Sequence, residues 1–276
     1  MTDDSLNAAK EKERQLEERL RALGSALVAY SGGVDSSYLA YIAHRVLGGR
    51  MLAVTAVSPS LSEYQRQKAV EFAAQFSIPH ELVESTEFQR EEYLANSPER
   101  CYFCKRELFS ILDRLARDRG FATVAYGMNR DDTGDFRPGH RAATESGVAS
   151  PLLDAQLTKD DIRRLSALHG LPTSEDPASP CLSSRIPFNE RIDLAKIRQV
   201  EKGEELLRNL GFREMRIRHH GEIARIELCI EDLGRSLDGD IRRRISEGLH
   251  NIGFKYVTVD IDGFRTGSLS SGLKKA

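Results

Sequence analysis

The chain of 276 residues carries 40 Lys and Arg against 42 Asp and Glu, a formal net charge of −2, and 40 % of it is hydrophobic. This balance excludes a strongly basic coat for nucleic acid, and no run approaches the ~18 uninterrupted apolar residues of a membrane span. At ~100–200 residues per domain the length suggests two domains, long enough to bury a core without disulfide staples.

The N-terminal segment MTDDSLNAAKEKERQLEERL lacks the apolar core of a signal peptide. Leu16, Leu20 and Leu23 fall at helical spacing and Gly24 stops the helix, which reads as a solvated amphipathic brace. SALVAY (25–30) reads as a short buried strand. It runs through SGGVDSS into a helix with the apolar stripe Leu39, Ile42, Ala43 and Val46, ended at Gly48-Gly49. MLAVTAV (51–57) is a second strand. Ser62 and Gln65 form a capping-box pattern for a helix with Ala69, Phe72, Ala73 and Phe76 facing inward. Short strands around 81–83 and at FATVAY (121–126) continue the alternation. Thr158 and Asp161 offer a second capping pattern, for a helix carrying Ile162, Leu165 and Leu168 and stopped by Gly170. Strands alternating with helices predict an α/β domain, a doubly wound parallel sheet covered on both faces, with ligands outside the carboxyl ends of the strands.

The pattern changes after Pro187. A long helix (190–210) ending at Gly211, strands at 214–218 and 223–230, a helix with Ile241, Ile245 and Leu249, and a strand at 255–261 predict a second, smaller α+β domain. The expected domains are therefore 1–187 and 188–276, with the tail SLSSGLKKA frayed.

Ser31, Gly32, Gly33, Val34, Asp35, Ser36 and Ser37 lie between a buried strand and an amphipathic helix, as a phosphate site requires. Glycines let the backbone turn tightly, amide N–H groups and the helix N-terminus favour the anion, and the serines add hydroxyl donors. Asp35 supplies a carboxylate for magnesium on the phosphates. The motif lacks the lysine-containing ending of a Walker A loop, so no phosphate-clamping lysine follows the glycines. A glycine turn without chemical meaning is the alternative, against which the strand–turn–helix context argues.

Four cysteines without an export signal imply a reducing compartment and hence a cytoplasmic protein, where Cys more often means metal or catalysis than crosslinking. Cys101 and Cys104 stand in ERCYFCKRELF, Cys181 in SPCLSSR, and Cys229 inside an apolar strand, where it reads as a buried core residue. The redox reading of a CxxC expects a thioredoxin-like setting, and a closed zinc site expects a second pair. Three thiolates leave one position unfilled, which suits a 4Fe–4S cluster with one exposed iron; zinc and unmetallated thiols are the alternatives. Arg216 and Arg218 alternate on a strand, so both point to one face and can fork a phosphate, with Arg225 on the next strand; a solvated strand face is the alternative. His219 and His220 read as surface or partly buried histidines without an assigned role.

SGGVDSS resembles the PP-loop of ATP pyrophosphatases (adenine nucleotide alpha hydrolase-like), which cleave ATP between the α- and β-phosphates and adenylate a substrate. GMNRDD, with Gly127 and Asp132, resembles the loop beside the nucleotide in that superfamily. The PP-loop, GMNRDDTGDFRPG, SPCLSSR, MRIRHHGEIARIEL and KYVTVDIDGFRTGSL together resemble the LarE family over nearly the whole chain. The resemblance implies an ATP- and Mg2+-dependent sulfur transferase. Such an enzyme adenylates a pyridinium carboxylate mononucleotide and converts it to a thiocarboxylate for the nickel-pincer cofactor of lactate racemase. Cys181 matches the family's sulfur-bearing cysteine, which the single-cysteine branch sacrifices. Cys101, where that branch carries an aromatic residue, and Cys104 make this chain look like the three-cysteine branch, whose 4Fe–4S cluster is thought to present an extra sulfide on its open iron. A bound sulfide can be replenished, whereas a sacrificed cysteine consumes one protein per sulfur. Ser184, Arg185, Glu204, Arg216 and Arg218 carry over as the substrate-mononucleotide phosphate and metal region between the domains. Arg235 replaces an acidic residue of the single-cysteine branch, which leaves no secondary metal site expected there. The resemblance further implies sulfide or a sulfur-donor system as partner and homo-oligomers up to hexamers, while the lack of a long apolar run argues against a membrane partner and the balanced charge against a nucleic-acid one. A tRNA-thiolating PP-loop enzyme, or a sacrificial-cysteine version of the same transfer, are the alternatives.

Overall fold

The computed structural model describes residues 3–134 and 138–265, so the expected fraying of SLSSGLKKA lies outside the described residues. The chain divides into two compact units, Met1–Tyr93 with Glu99–Ser179, and Leu94–Pro98 with Pro180–Ala276.

In the first unit, β1 (Ala26–Ala29), β2 (Met51–Val57), β3 (His80–Glu84) and β4 (Thr123–Tyr126) form a parallel sheet in the order β3-β2-β1-β4. Ala26 stands opposite both Met51 and Thr123. The helices are α1 (Asp3–Leu23), α2 (Val34–Leu47), α3 (Glu63–Gln75), α4 (Glu91–Leu94), α5 (Arg100–Arg119), α6 (Pro138–Glu145), α7 (Pro151–Asp154) and α8 (Lys159–Leu168). Every residue of β1 is buried, as a central parallel strand covered on both faces requires. Successive side chains alternate between two cores. Ala26, Val28 and Tyr30 pack with Leu16 and Leu20 of α1, Leu39 of α2, Phe72 of α3 and Leu165 of α8, while Leu27 and Ala29 pack with Leu112 and Ala116 of α5. The sheet is thus wound on both faces, an α/β arrangement.

The capping box of α8 forms, with Thr158 Oγ1 accepting from the Asp161 amide and Asp161 accepting from the Thr158 amide. At α3 only half of the expected box forms: Ser62 accepts from the Gln65 amide, but the Gln65 side chain accepts from the Ser62 hydroxyl through Oε1 and donates through Nε2 to Ser179. Helix α5, which holds the CxxC, is poorly announced by the sequence. Its first turn has no side-chain cap, and charged residues interrupt the short stripe of Phe109, Leu112 and Ala116.

The second unit contains α9 (Leu194–Asn209), β5 (Met215–His220), β6 (Ile223–Leu228), α10 (Ile230–Ser236), α11 (Gly239–Ile252) and β7 (Tyr256–Val259). Strands β5 and β6 are antiparallel and β7 runs parallel to β6, a small mixed sheet in the order β5-β6-β7. Met215 and Ile217 face the core made by Leu207, Leu249 and Phe254. Asn96 fastens the segment Leu94–Pro98 here, its Nδ2 donating to the carbonyls of Pro187 (2.8 Å) and Glu190 (3.0 Å). Cys229 departs from the expectation of a buried strand residue. Strand β6 ends at Leu228, and Cys229 is a half-buried N-cap of α10 whose thiol donates to Asp232 Oδ2 at 3.2 Å. Burial, then the bond to Asp232, pushes that thiol's pKa up.

Candidate active site

Strand order reverses at β1: the chain proceeds to β2 and β3 on one side and returns to β4 on the other. Connections leaving the carboxyl ends of β1 and β4 therefore diverge and open a crevice between them. Both loops singled out in the sequence fall there, residues 31–37 after β1 and 127–134 after β4. Gly33 is the N-cap of α2 and no side chain caps that helix, so its first-turn N–H groups carry the helix's positive end without a protein carboxylate on them. Ser36 donates its hydroxyl to the Gly33 carbonyl (3.0 Å) and accepts from the Ser31 amide (3.2 Å), which holds the loop closed. Ser31 Oγ must then be the donor in its 3.1 Å bond to Ser36 Oγ. Gly32 lies against Ala69, Val34 is buried, and Ser37 is fully buried. Gly127 packs directly on the loop: a Cβ there would stand 3.2 Å from the Ser36 nitrogen and 3.3 Å from its Cα.

Asp35 points into this arrangement. Its Oδ2 accepts from Lys159 Nζ at 2.5 Å, while its Oδ1 is out of solvent without a hydrogen-bond partner. Burial pushes the carboxyl pKa above its ordinary value; Asp132 adds to this, and Lys159 opposes it. Lys159 opens α8 and ties two loops together, its amide donating to Asp131 Oδ2 at 2.8 Å while its ammonium reaches Asp35. Asn129, almost fully buried, accepts from the Asp131 amide and donates its own amide to Asp132. The cation absent from the glycine loop is thus supplied from another helix. An orphaned buried carboxylate oxygen beside a helix N-terminus fits a magnesium ion on a phosphate.

Cys101 and Cys104 lie one turn apart at the start of α5, Cys101 exposed and Cys104 half-buried. Arg100 Nη2 stands 3.8 Å from Cys101 Sγ, and Cys104 Sγ faces Glu87 Oε2 at 3.9 Å. Glu87 is a buried carboxylate that also accepts from Ser58, Ser60 and Ser85 at 2.6–2.8 Å, knitting the ends of β2 and β3 to the CxxC turn. Cys181 belongs to the second unit, where it precedes the short 3-10 turn Leu182–Arg185. Among the described residues no group of three or more His, Cys, Asp or Glu stands at metal-holding distance.

In the second unit the β5–β6 pair places Arg216 opposite Glu227 and Arg218 opposite Arg225, on the sheet face away from the apolar core. These are not solvated. Arg185, Arg216, Arg218, Glu204 and Glu227 are all buried. Arg185 donates through Nε and Nη2 to Glu204 (2.8 and 3.1 Å) and through Nη1 to the carbonyls of Pro180 and Cys181 and to Ser184 Oγ. It is a clasp that fixes the backbone at Cys181 to α9. Arg218 donates to Glu227 at 2.8 and 2.9 Å and to the Ser184 carbonyl at 2.9 Å. Arg225 bonds Asp260 Oδ2 at 2.6 Å and donates to His220 Nε2 at 3.2 Å. Burial, then Arg185 and Arg218, pull the Arg216 pKa down to about 10, with Glu204 and Glu227 opposing. Three buried guanidiniums facing two buried carboxylates leave a positive surplus. Arg235 lies apart, bonded to Asp232 and the Leu210 carbonyl and stacked 3.8 Å from the Phe212 ring centroid. His219 is a core histidine against Gln199 and Phe254.

Comparison with known proteins accords with this geometry. A profile of the NAD synthase family matches residues 9–125. An uncharacterized protein of Synechocystis sp. is 43 % identical over 253 residues, 92 % of this chain and 94 % of the relative. The pyridinium-3,5-bisthiocarboxylic acid mononucleotide synthase of Lactiplantibacillus plantarum is 35 % identical over 272 residues, 96 % of each chain. The chain belongs to the LarE family. It is accordingly an ATP-using transferase with a PP-loop domain. A further relative, an uncharacterized protein of Methanocaldococcus jannaschii, is 29 % identical over 240 residues, 87 % of this chain and 90 % of its own length. No helix among the described residues is long and apolar enough to cross a membrane.

Sequence reasoning misses Lys159, Glu87 and the clasp role of Arg185. Lys159 has only a local signal, its place directly after the capping residue Thr158.

Proposed function

We propose that this LarE-family chain converts a pyridinium carboxylate mononucleotide to a thiocarboxylate for the nickel-pincer cofactor of lactate racemase. The observation that carries the reading is identity along 96 % of both chains with a synthase named for its bisthiocarboxylic acid product. The geometry supports it with a phosphate crevice in one unit and a buried arginine surplus in the other.

The substrate carboxylate attacks the α-phosphorus of ATP. A carboxylate–phosphorus bond forms, and the bond to the bridging oxygen breaks as pyrophosphate leaves. A sulfur nucleophile at the sulfide oxidation level then adds to the acyl carbon. The C–O bond to AMP breaks, giving thiocarboxylate, AMP and a proton. Ser31, Gly32, Gly33, Val34, Ser36 and Ser37 bind the phosphates through backbone and hydroxyl donors, and Gly127 and Asp132 shape the facing wall. Lys159 neutralises phosphate charge. Asp35 would hold Mg2+, which when bound supplies charge neutralisation to the leaving pyrophosphate. Ser184, Arg216 and Arg218 hold the mononucleotide phosphate, with Arg185 and Glu204 fixing the loop behind them. Cys101, Cys104 and Cys181, none of them in a disulfide, have the donor chemistry for a 4Fe–4S cluster and would hold it, and the cluster when bound would supply sulfur at the sulfide level. A sulfur-donor system and a homo-oligomer complete the reading.

The test is Cys181→Ala, assayed for pyrophosphate release and, by mass spectrometry, for thiocarboxylate. Adenylation should persist and thiocarboxylate should vanish; thiocarboxylate at the parent rate refutes the assignment. Iron and acid-labile sulfide on protein purified without oxygen should reach about four irons per chain. Absence of iron after reconstitution would move the sulfur to Cys181 itself.

A further inference from the structure

The arginine face of the second unit ends against a turn that the functional reading leaves without a role. After β7, Asp260 takes Arg225 on Oδ2 and the Asp262 amide on Oδ1, and the Gly263 amide returns to the Asp260 carbonyl at 3.1 Å. Gly263 has φ +69°, and a Cβ there would meet the Leu228 carbonyl oxygen at 2.9 Å and Ile230 Cδ1 at 2.8 Å. Only glycine fits that bend against the end of β6. The bend delivers the next residue: the Phe264 amide donates to the Leu228 carbonyl at 2.6 Å, and the Phe264 ring lies under Arg216, whose Cζ is 4.9 Å from the ring centroid.

A buried guanidinium in a cationic surplus needs its plane fixed if it is to present N–H groups to an anion in one direction. An aromatic ring on its face does this, because the π-cloud offsets part of the charge without occupying the in-plane donors. The carbonyl of Met215 takes one of those donors, Nη1, at 2.6 Å.

We infer that Phe264 is a positioning residue of the mononucleotide site, stacking on Arg216 so that the guanidinium edge meets the phosphate. The inference rests on the reading of the arginine face as the phosphate site. Phe264 touches Arg216 and not the reacting atoms, so it acts on binding and leaves adenylation chemistry unaltered.

The experiment uses the full-length chain with nicotinic acid mononucleotide and its phosphate-free riboside as probes, by calorimetry and by pyrophosphate release. In the parent the mononucleotide should bind and the riboside should bind far more weakly. Phe264→Leu should weaken the mononucleotide ~2–30-fold, the range of a cation–π contact, and raise its KM alike while kcat and the KM for ATP stay put. Phe264→Tyr, which keeps the ring, should restore affinity and shows that loss in the leucine variant is not misfolding. In an Arg216→Met background the leucine change should have no further effect. Parent-like affinity in Phe264→Leu, or an equal loss in the Arg216→Met background, overturns the role of Phe264. Equal binding of mononucleotide and riboside by the parent overturns the phosphate-site reading beneath it.

Discussion

Replacing Lys159 with methionine separates the phosphate chemistry from the fold. Its ammonium stands 2.5 Å from Asp35, but the two side chains are 36 % and 21 % exposed, and a pair partly screened by solvent contributes at most ~1 kcal/mol. Methionine keeps most of the stem, and the Lys159 amide that ties α8 to Asp131 is untouched. Unfolding free energy should therefore fall by less than ~1 kcal/mol. The chemistry should respond more strongly. A charge-assisted hydrogen bond to a phosphate oxygen contributes ~1.5–3 kcal/mol, or ~10–150-fold in a rate or binding constant. Pyrophosphate release measured against ATP concentration should show kcat/KM down by that factor, with the KM for the mononucleotide unchanged. A kcat/KM within two-fold of the parent would refute the reasoning and leave Lys159 as a loop tether. A melting temperature that collapses in parallel would refute it equally.

Gly127→Ala should lower ATP affinity and cost ~1–3 kcal/mol, because the new methyl meets the Ser36 backbone rather than a side chain that can swing away; unchanged ATP binding by calorimetry would count against the loop packing. Arg185→Met should destabilise by ~3–5 kcal/mol in urea unfolding, since it strands Glu204 as a buried charge; a loss under ~1 kcal/mol would show that the clasp is not closed. Stability should also drop as pH falls through about 6.5. Thr55 gives its only proton to the Tyr30 carbonyl, so neutral His80 must donate to Thr55, and burial holds the His80 pKa below its ordinary 6.5. The unfolded chain therefore takes up the proton first, and His80→Gln should shrink the difference in urea midpoint between pH 7.5 and 5.5; an undiminished difference would locate the titration elsewhere.

What the sequence makes legible is what local pattern encodes. The Thr158–Asp161 box, the buried run of β1 and the SGGVDSS turn need no information from elsewhere in the chain, and all three form. What escapes depends on partners distant in sequence. Lys159 is one charged residue on a helix until the fold carries it to Asp35, 124 residues away. Arg216 and Arg218 do share a face, as strand alternation requires, but alternation is silent on burial. A solvated basic face and a buried ion-pair lattice have the same spacing, and only the cross-strand register with Glu227 and the Arg185 turn decides between them. Cys229 escapes for the opposite reason: its apolar neighbours extend the strand pattern two residues past the end of β6, onto the first residue of α10. Helix α5 escapes because the residues that give the CxxC its chemistry also break the apolar stripe that marks a helix.

Under the proposed reaction the two phosphate-binding arrangements have different physical tasks, and their chemistry differs accordingly. Pyrophosphate must depart after adenylation, and the crevice of the first unit meets it with dipoles, hydroxyls and an exposed ammonium. These are donors that water and an incoming nucleotide can replace at little cost. The mononucleotide must stay while its carboxylate acts first as the nucleophile on phosphorus and its acyl carbon then as the electrophile for sulfur. The second unit meets it with guanidiniums whose solvation was removed when the chain folded. Burial, then the neighbouring Arg185 and Arg218, hold the Arg216 pKa below its ordinary value, so an arriving anion favours this guanidinium more than it would a solvated arginine. The fold thus stores binding energy for the group that must remain and withholds it from the group that must leave, and the ring of Phe264 is the part of that store which aims it.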